Sequence, residues 1–125
     1  MASNKIQRFG PVAMVTGATG SNYINPAASG AGAVGYTATA SYIILRKINI
    51  VNKTASAATF SLYLGGTTGS AAGTEVIGTG LSVAANSYFP WQGMLRLDST
   101  DFLTGIAGTI SALVLEAEGE VGLAG

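Results

Sequence analysis

The hydrophobic positions of this chain recur in twos. From Ala58 to Leu64 the alternation is unbroken, with Phe60, Leu62 and Leu64 on one face and Thr59, Ser61 and Tyr63 on the other. That is the period of a half-buried strand. Before it, Thr37, Thr39, Tyr42, Ile43, Ile44, Ile48, Ile50 and Val51 form a β-preferring run with apolar residues on both faces. It predicts a central strand covered on both sides, or one that changes face at a bend. The stretch 52–56 reads as a turn, and the Gly-rich stretch 65–73 as a long flexible loop. Short strands follow at 75–77, around Leu81 and Val83, and at 92–97, where Met94 or Leu95, and Leu97, approach the core. Asp98-Ser99-Thr100-Asp101 is a turn whose short polar side chains cap local backbone. Phe102 and Leu103 return to the core, and 109–118 is the last strand.

No segment carries a helical period. Seven or eight short strands with turn signals every 8–12 residues predict an all-β fold, an antiparallel β-sandwich of jelly-roll-like form. Residues 1–40 differ from the rest. Phe9 to Thr16 holds one short strand, which Pro11 assigns to an edge, and Ala27 to Gly35 is almost entirely Gly, Ala and Ser. With few bulky side chains to anchor it, this segment is expected to be an extended N-terminal arm laid over a neighbouring surface, with the sandwich domain at 41–125.

Composition changes the picture more than length does. The 125 residues suffice for one core. Gly, Ala, Ser and Thr make up about half of them, and only 10% are charged, with six basic and six acidic residues giving zero net charge. Mean hydropathy is +0.43. A free soluble monomer ordinarily protects itself with more charge than this, so much of the surface is expected to be covered by other protein chains. The charges are also segregated: residues 1–97 sum to +5 and residues 98–125 to −5. Either the fold neutralises itself internally, or neighbouring copies meet through opposite charges. Zero net charge argues against a strong grip on nucleic acid. No apolar run is long enough to span a bilayer as a helix, and no apolar stretch follows Lys5 and Arg8 as a secretory signal requires. The expectation is a protein made in the cytosol without export.

Candidate chemistry is sparse. The chain has no His and no Cys, which excludes Ser-His-Asp and Cys-His catalysis, the usual zinc and iron–sulfur ligand sets, and disulfides. Val15-Thr16-Gly17-Ala18-Thr19-Gly20 imitates a dinucleotide-binding turn, but no helix can follow it through Pro26, Gly30 and Gly32. Asn52-Lys53-Thr54 matches a glycosylation pattern and reads as a turn. Asp98 with Asp101, or Glu116, Glu118 and Glu120 on one strand face, are oxygen donors for a hard cation or a carboxylate pair for glycoside hydrolysis. The bland reading is a solvated edge, with Gly119 expected to break the strand. No catalytic, cofactor-binding or metal residue is assigned, and no enzymatic activity is expected.

The aromatic residues are the strongest candidates. Tyr88, Phe89 and Trp91 beside Pro90 admit three roles: a sugar-stacking platform, an interface anchor, or a plug in the core. Tyr23 and Tyr36 lie among small residues and suit an interface better than a core. With Phe9, these six are the interface candidates.

The hairpin at 42–64, with its turn at Asn52, together with Leu95-Arg96-Leu97-Asp98-Ser99 and Ile110-Ser111-Ala112-Leu113-Val114-Leu115, resembles the small β-sandwich virion proteins of tailed bacteriophages. That class includes capsid decoration (cement) proteins and some tail, fibre or baseplate components. The resemblance covers roughly residues 40–118 and rests on strand and turn pattern. It implies a non-enzymatic structural protein of the virion, assembled in the host cytoplasm. Its implied partners are the major capsid protein or other virion subunits, and its implied state is a homo-oligomer, with a trimer favoured. A tail or fibre component and a carbohydrate-binding module working through Tyr88 and Trp91 are the alternatives.

Overall fold

The computed structural model describes residues 5–26, 40–66 and 68–123. Eight strands are present: β1 (Lys5–Ala13), β2 (Ser21–Ile24), β3 (Ala40–Asn52), β4 (Ala58–Gly65), β5 (Glu75–Val83), β6 (Tyr88–Asp98), β7 (Phe102–Ala107) and β8 (Leu113–Leu123). There is no helix among the described residues. The strands form two four-stranded antiparallel sheets, a front sheet ordered β1-β8-β3-β6 and a back sheet ordered β2-β7-β4-β5.

These orders have a simple origin. β1 pairs with β8, β2 with β7, β3 with β6 and β4 with β5, so the first half of the chain lies antiparallel along the second as one long ribbon. Wrapping that ribbon brings β8 beside β3 and β7 beside β4, and each set of strands becomes a sheet. This is the jelly roll, as the spacing of strands and turns predicts.

Alternation decides which side chains lie between the sheets. In β3, Ile43, Leu45, Ile48 and Ile50 are fully buried, and in β4 so are Phe60 and Leu62. Phe60 meets Phe89 of β6 edge to face, with ring centroids 5.5 Å apart, a favoured aromatic geometry. The shift in β3 from odd to even inward positions is a bulge: Leu45 and Lys47 oppose the consecutive residues Gly119 and Glu118 of β8. The strand therefore changes face at a bend, one of the two options its sequence left open. Gly119 does not break β8. Its inner side lies against the backbone of Ile44 and Leu45, where a Cβ would overlap main-chain atoms.

The N-terminal expectation needs correcting. Residues 5–26 are not an arm, because they supply an edge strand to each sheet. Phe9, Met14 and Ile24 are fully buried and Tyr23 nearly so, so four large side chains anchor a segment that its small-residue content made look unanchored. Residues 1–4 and 27–39, the remainder of that expectation, lie outside the described residues. The 65–73 stretch is also no free loop. The Thr68 N–H donates to Asn22 Oδ1 at 2.7 Å, the Thr104 hydroxyl donates to the Gly69 carbonyl, and the Leu64 N–H donates to the Thr74 carbonyl at 3.0 Å. The segment is strapped across the outside of the back sheet and buries Thr104 completely.

Candidate assembly surface

Register dictates how the charges sit. On the outer side of the front sheet, Arg8, Glu118, Lys47 and Gln92 form one cross-strand row, and Ile6, Glu120, Ile44 and Arg96 form the next in register. Facing residues on neighbouring antiparallel strands lie roughly 4.5–5.5 Å apart at Cβ. Glu118 of β8 is thus held between the basic positions Arg8 of β1 and Lys47 of β3. Arg46 in the bulge reaches Glu120 at 3.3 Å, and Arg96 bonds Asp98 at 2.8 Å while its guanidinium lies 4.5 Å from the centre of the Tyr42 ring. Eight of the twelve charged residues share this face. Two ion pairs, Arg46–Glu120 and Arg96–Asp98, thus join the basic and acidic parts of the chain within the fold.

Toward one end of the same face the charges stop. Ala13, Val114, Val51 and Tyr88 oppose one another in a single row across all four strands. Tyr88 is 60% exposed and Val51 37%. Ile110, 63% exposed, stands in the turn before β8 at the same end, where the Lys53 N–H donates to Ala112 O at 3.2 Å. Such an apolar stretch rimmed by polar residues is the kind of surface that protein partners cover.

The sheet edges are closed to strand addition. β1 carries Pro11 within a bulge between Phe9 and Val12, and β6 carries Pro90 and an irregularity between Gln92 and Leu95. β5 is interrupted where Ile77, Gly78 and Gly80 take positive φ, and β2 has only four residues. Proline, bulges and brevity are the ordinary protections of an edge strand. The faces and ends, not the edges, are therefore the surfaces left open.

The interface candidates separate. Tyr88 points outward and joins the apolar row. Phe89 and Trp91, opposite Ile50 and Ile48, point inward and are partly buried against the core, the plug role. Tyr88 and Trp91 thus lie on opposite sides of β6 and do not form a sugar platform. Phe9 and Tyr23 are core residues, not interface residues, and Tyr36 lies outside the described residues. Tyr23 closes the core under its own strand: its hydroxyl accepts the Val15 N–H at 3.1 Å. Burial pushes the Tyr23 hydroxyl above its ordinary value of 10.0, while hydrogen bonds to Val15 and Ser21 pull the other way. Val51, Val114 and Ile110 were missed by the sequence reading. Their signal was only that each falls on the polar phase of a strand or in a turn.

The remaining motifs resolve into structure. The turn after Val15 leads into β2, a strand, and Gly20 packs against Gly69 and Thr104, so no phosphate cradle forms. Asn52 is 1% exposed. Its amide donates to Ser56 O at 2.8 Å and Val83 O at 3.0 Å, and its carbonyl accepts from Thr54 N at 2.9 Å and from the Thr54 hydroxyl at 2.7 Å. A side chain so bound is a turn anchor with no room for a glycan. The Asp101 carboxylate accepts the Asp98 N–H at 2.9 Å, the Asp98 carbonyl accepts the Asp101 N–H at 2.9 Å, and the Asp98 carboxylate takes Arg96. Among the described residues no cluster of carboxylates is arranged to hold a cation; Glu118 lies between Arg8 and Lys47, Glu120 pairs with Arg46, and Glu116 faces Asn49.

One concavity opens between the edges β5 and β6. It is a groove of about 380 Å³ lined by Leu64, Gly73, Thr74, Glu75, Val76 and Leu95. It lies at the end of the sandwich opposite the apolar row. Glu75 takes the Gly73 N–H at 2.8 Å. Comparison with protein-family models, with curated proteins and with solved structures finds no match for this chain.

Proposed function

We propose that this protein is a non-enzymatic structural component of a phage virion, and that it acts as a decoration protein bridging subunits of the capsid shell. One observation carries the reading: an exposed apolar row, Ala13 to Tyr88, at one end of the sheet face that carries eight of the twelve charged residues. A jelly roll with blunted edges is a scaffold suited to such work, although the fold by itself does not name a function. Clamping follows from area. About 400 Å² of apolar contact contributes on the order of 10 kcal/mol before the costs of association, and engagement of two shell subunits by each copy multiplies the effect.

The direct test images particles assembled with and without the protein. The proposal expects regular density over the shell that is absent without the protein. Density confined to the tail, or none, overturns the shell assignment.

A further inference from the structure

The apolar row has a charge on each side, and neither is matched within the fold. Toward the middle of the sheet, the next outward row holds Glu116 and Asn49. The other glutamates of β8 have a base at hand: Glu118 lies between Arg8 and Lys47 in register, and Glu120 bonds Arg46. Glu116 does not. Gly10 and Pro11 stand against it in the β1 bulge, Asn49 faces it from β3, and Pro90 lies beyond Asn49 on β6. Glu116 makes no ion pair among the described residues. Beside it, Asn49 Oδ1 is buried and accepts no hydrogen bond. An acceptor cut off from both water and donors costs free energy until a donor reaches it. On the other side of the row, two residues beyond Val51, Lys53 is exposed and likewise makes no ion pair among the described residues. Four residues of extended chain set the levels of Glu116 and Lys53 about 13 Å apart.

We infer that the shell surface seated on the apolar row is itself an apolar patch with a basic side chain on one flank and an acidic one on the other, the base set against Glu116 and the acid against Lys53. This rests on the shell reading above and names the chemistry of the partner. The partner's arginine or lysine brings the donors that Glu116 and Asn49 lack, and the Asn49 amide turns about its own side-chain torsion to meet them. The two charges also fix the direction in which the partner lies, because the reversed seating sets acid against Glu116 and base against Lys53. The apolar side chains between them supply the affinity.

Charge reversal tests it, by co-sedimentation of the purified full chain with shells that lack it, over a range of salt. Wild type is expected to attach, and less tightly as salt rises. Glu116→Lys and Lys53→Glu should each weaken attachment by about tenfold or more, with circular dichroism unchanged. Glu116→Gln should weaken it too, whereas Glu118→Gln, the same change two residues along the strand, should not. Equal attachment of wild type and both reversals overturns the inference and leaves the apolar contact standing, and an effect of only one reversal overturns the two-charge partner. Sedimentation of the chain alone separates the other occupant: self-association abolished by the same reversals gives the row to a second copy and overturns the inference. Wild type that attaches to no shell overturns the shell reading and the inference with it.

Discussion

Gly119 shows how much one missing side chain can hold in place. The bulge at Arg46 pulls the β3 backbone onto β8, and the space where a Cβ would stand is filled by the Ile44 carbonyl and the Leu45 Cα. Main chain in the middle of a sheet cannot retreat as a flexible side chain can. Gly119→Ala should therefore cost about 3 kcal/mol or more in denaturant unfolding. Gly66→Ala, whose Cβ meets nothing within 4 Å, should be nearly neutral. Asn52 works by hydrogen bonding. Asn52→Ala leaves the buried Val83 carbonyl without its side-chain donor and should cost about 2–4 kcal/mol. Tyr23 links stability to pH. Its pKa in the folded chain is raised above 10.0, so its contribution is fully present below that pH and is lost as pH rises through the folded value. Unfolding midpoints of wild type and Tyr23→Phe should therefore converge above pH 10.0, the wild type losing the more. A gap that widens with pH contradicts this sign.

Elements show which features the sequence exposed and which it hid. The alternation of β4 was readable because only one of its faces meets the core, and it survives unchanged as Phe60, Leu62 and Leu64 inward. The last strand was placed four residues early and ended at Glu118, whereas β8 runs Leu113–Leu123. Ile110 looks like a strand residue by type, but Ser111 takes φ 60° and turns the chain there, and Gly119 looks like a breaker until the bulge opposite it is seen. The edge strand at Phe9 to Thr16 overlaps β1, which starts earlier, at Lys5; β2 is hidden because its four residues cross a register shift, so no period of two appears. The 65–73 segment was read as free because its tethers are backbone groups and two distant side chains, Asn22 and Thr104, which composition does not reveal. Thr104→Val keeps the shape and removes the donor to Gly69. It should cost about 1 kcal/mol and raise protease cleavage between Gly65 and Glu75.

At the scale of the whole molecule, the uneven placement of charge is the governing feature. The low charge count was visible in the composition. That Glu118 would lie between Arg8 and Lys47 was not, since it follows from wrapping a ribbon whose halves are far apart in sequence. The consequence is a front sheet whose exposed pairs are worth little individually. Glu120→Gln, which removes the Arg46 partner, should change stability by less than about 1 kcal/mol. One apolar end of that face is left exposed, and the blunted edges disfavour strand addition. Val51→Asp, an exposed position in the row, should leave folding nearly intact while abolishing attachment to shells.

The measurement that bears most directly on this account is cryo-electron imaging of particles assembled with wild-type protein, with Val51→Asp, and with none. The account predicts ordered density across the shell for wild type alone. Equal density with Val51→Asp would contradict the role given to the apolar row, and bare shells in every case would contradict the assembly role itself.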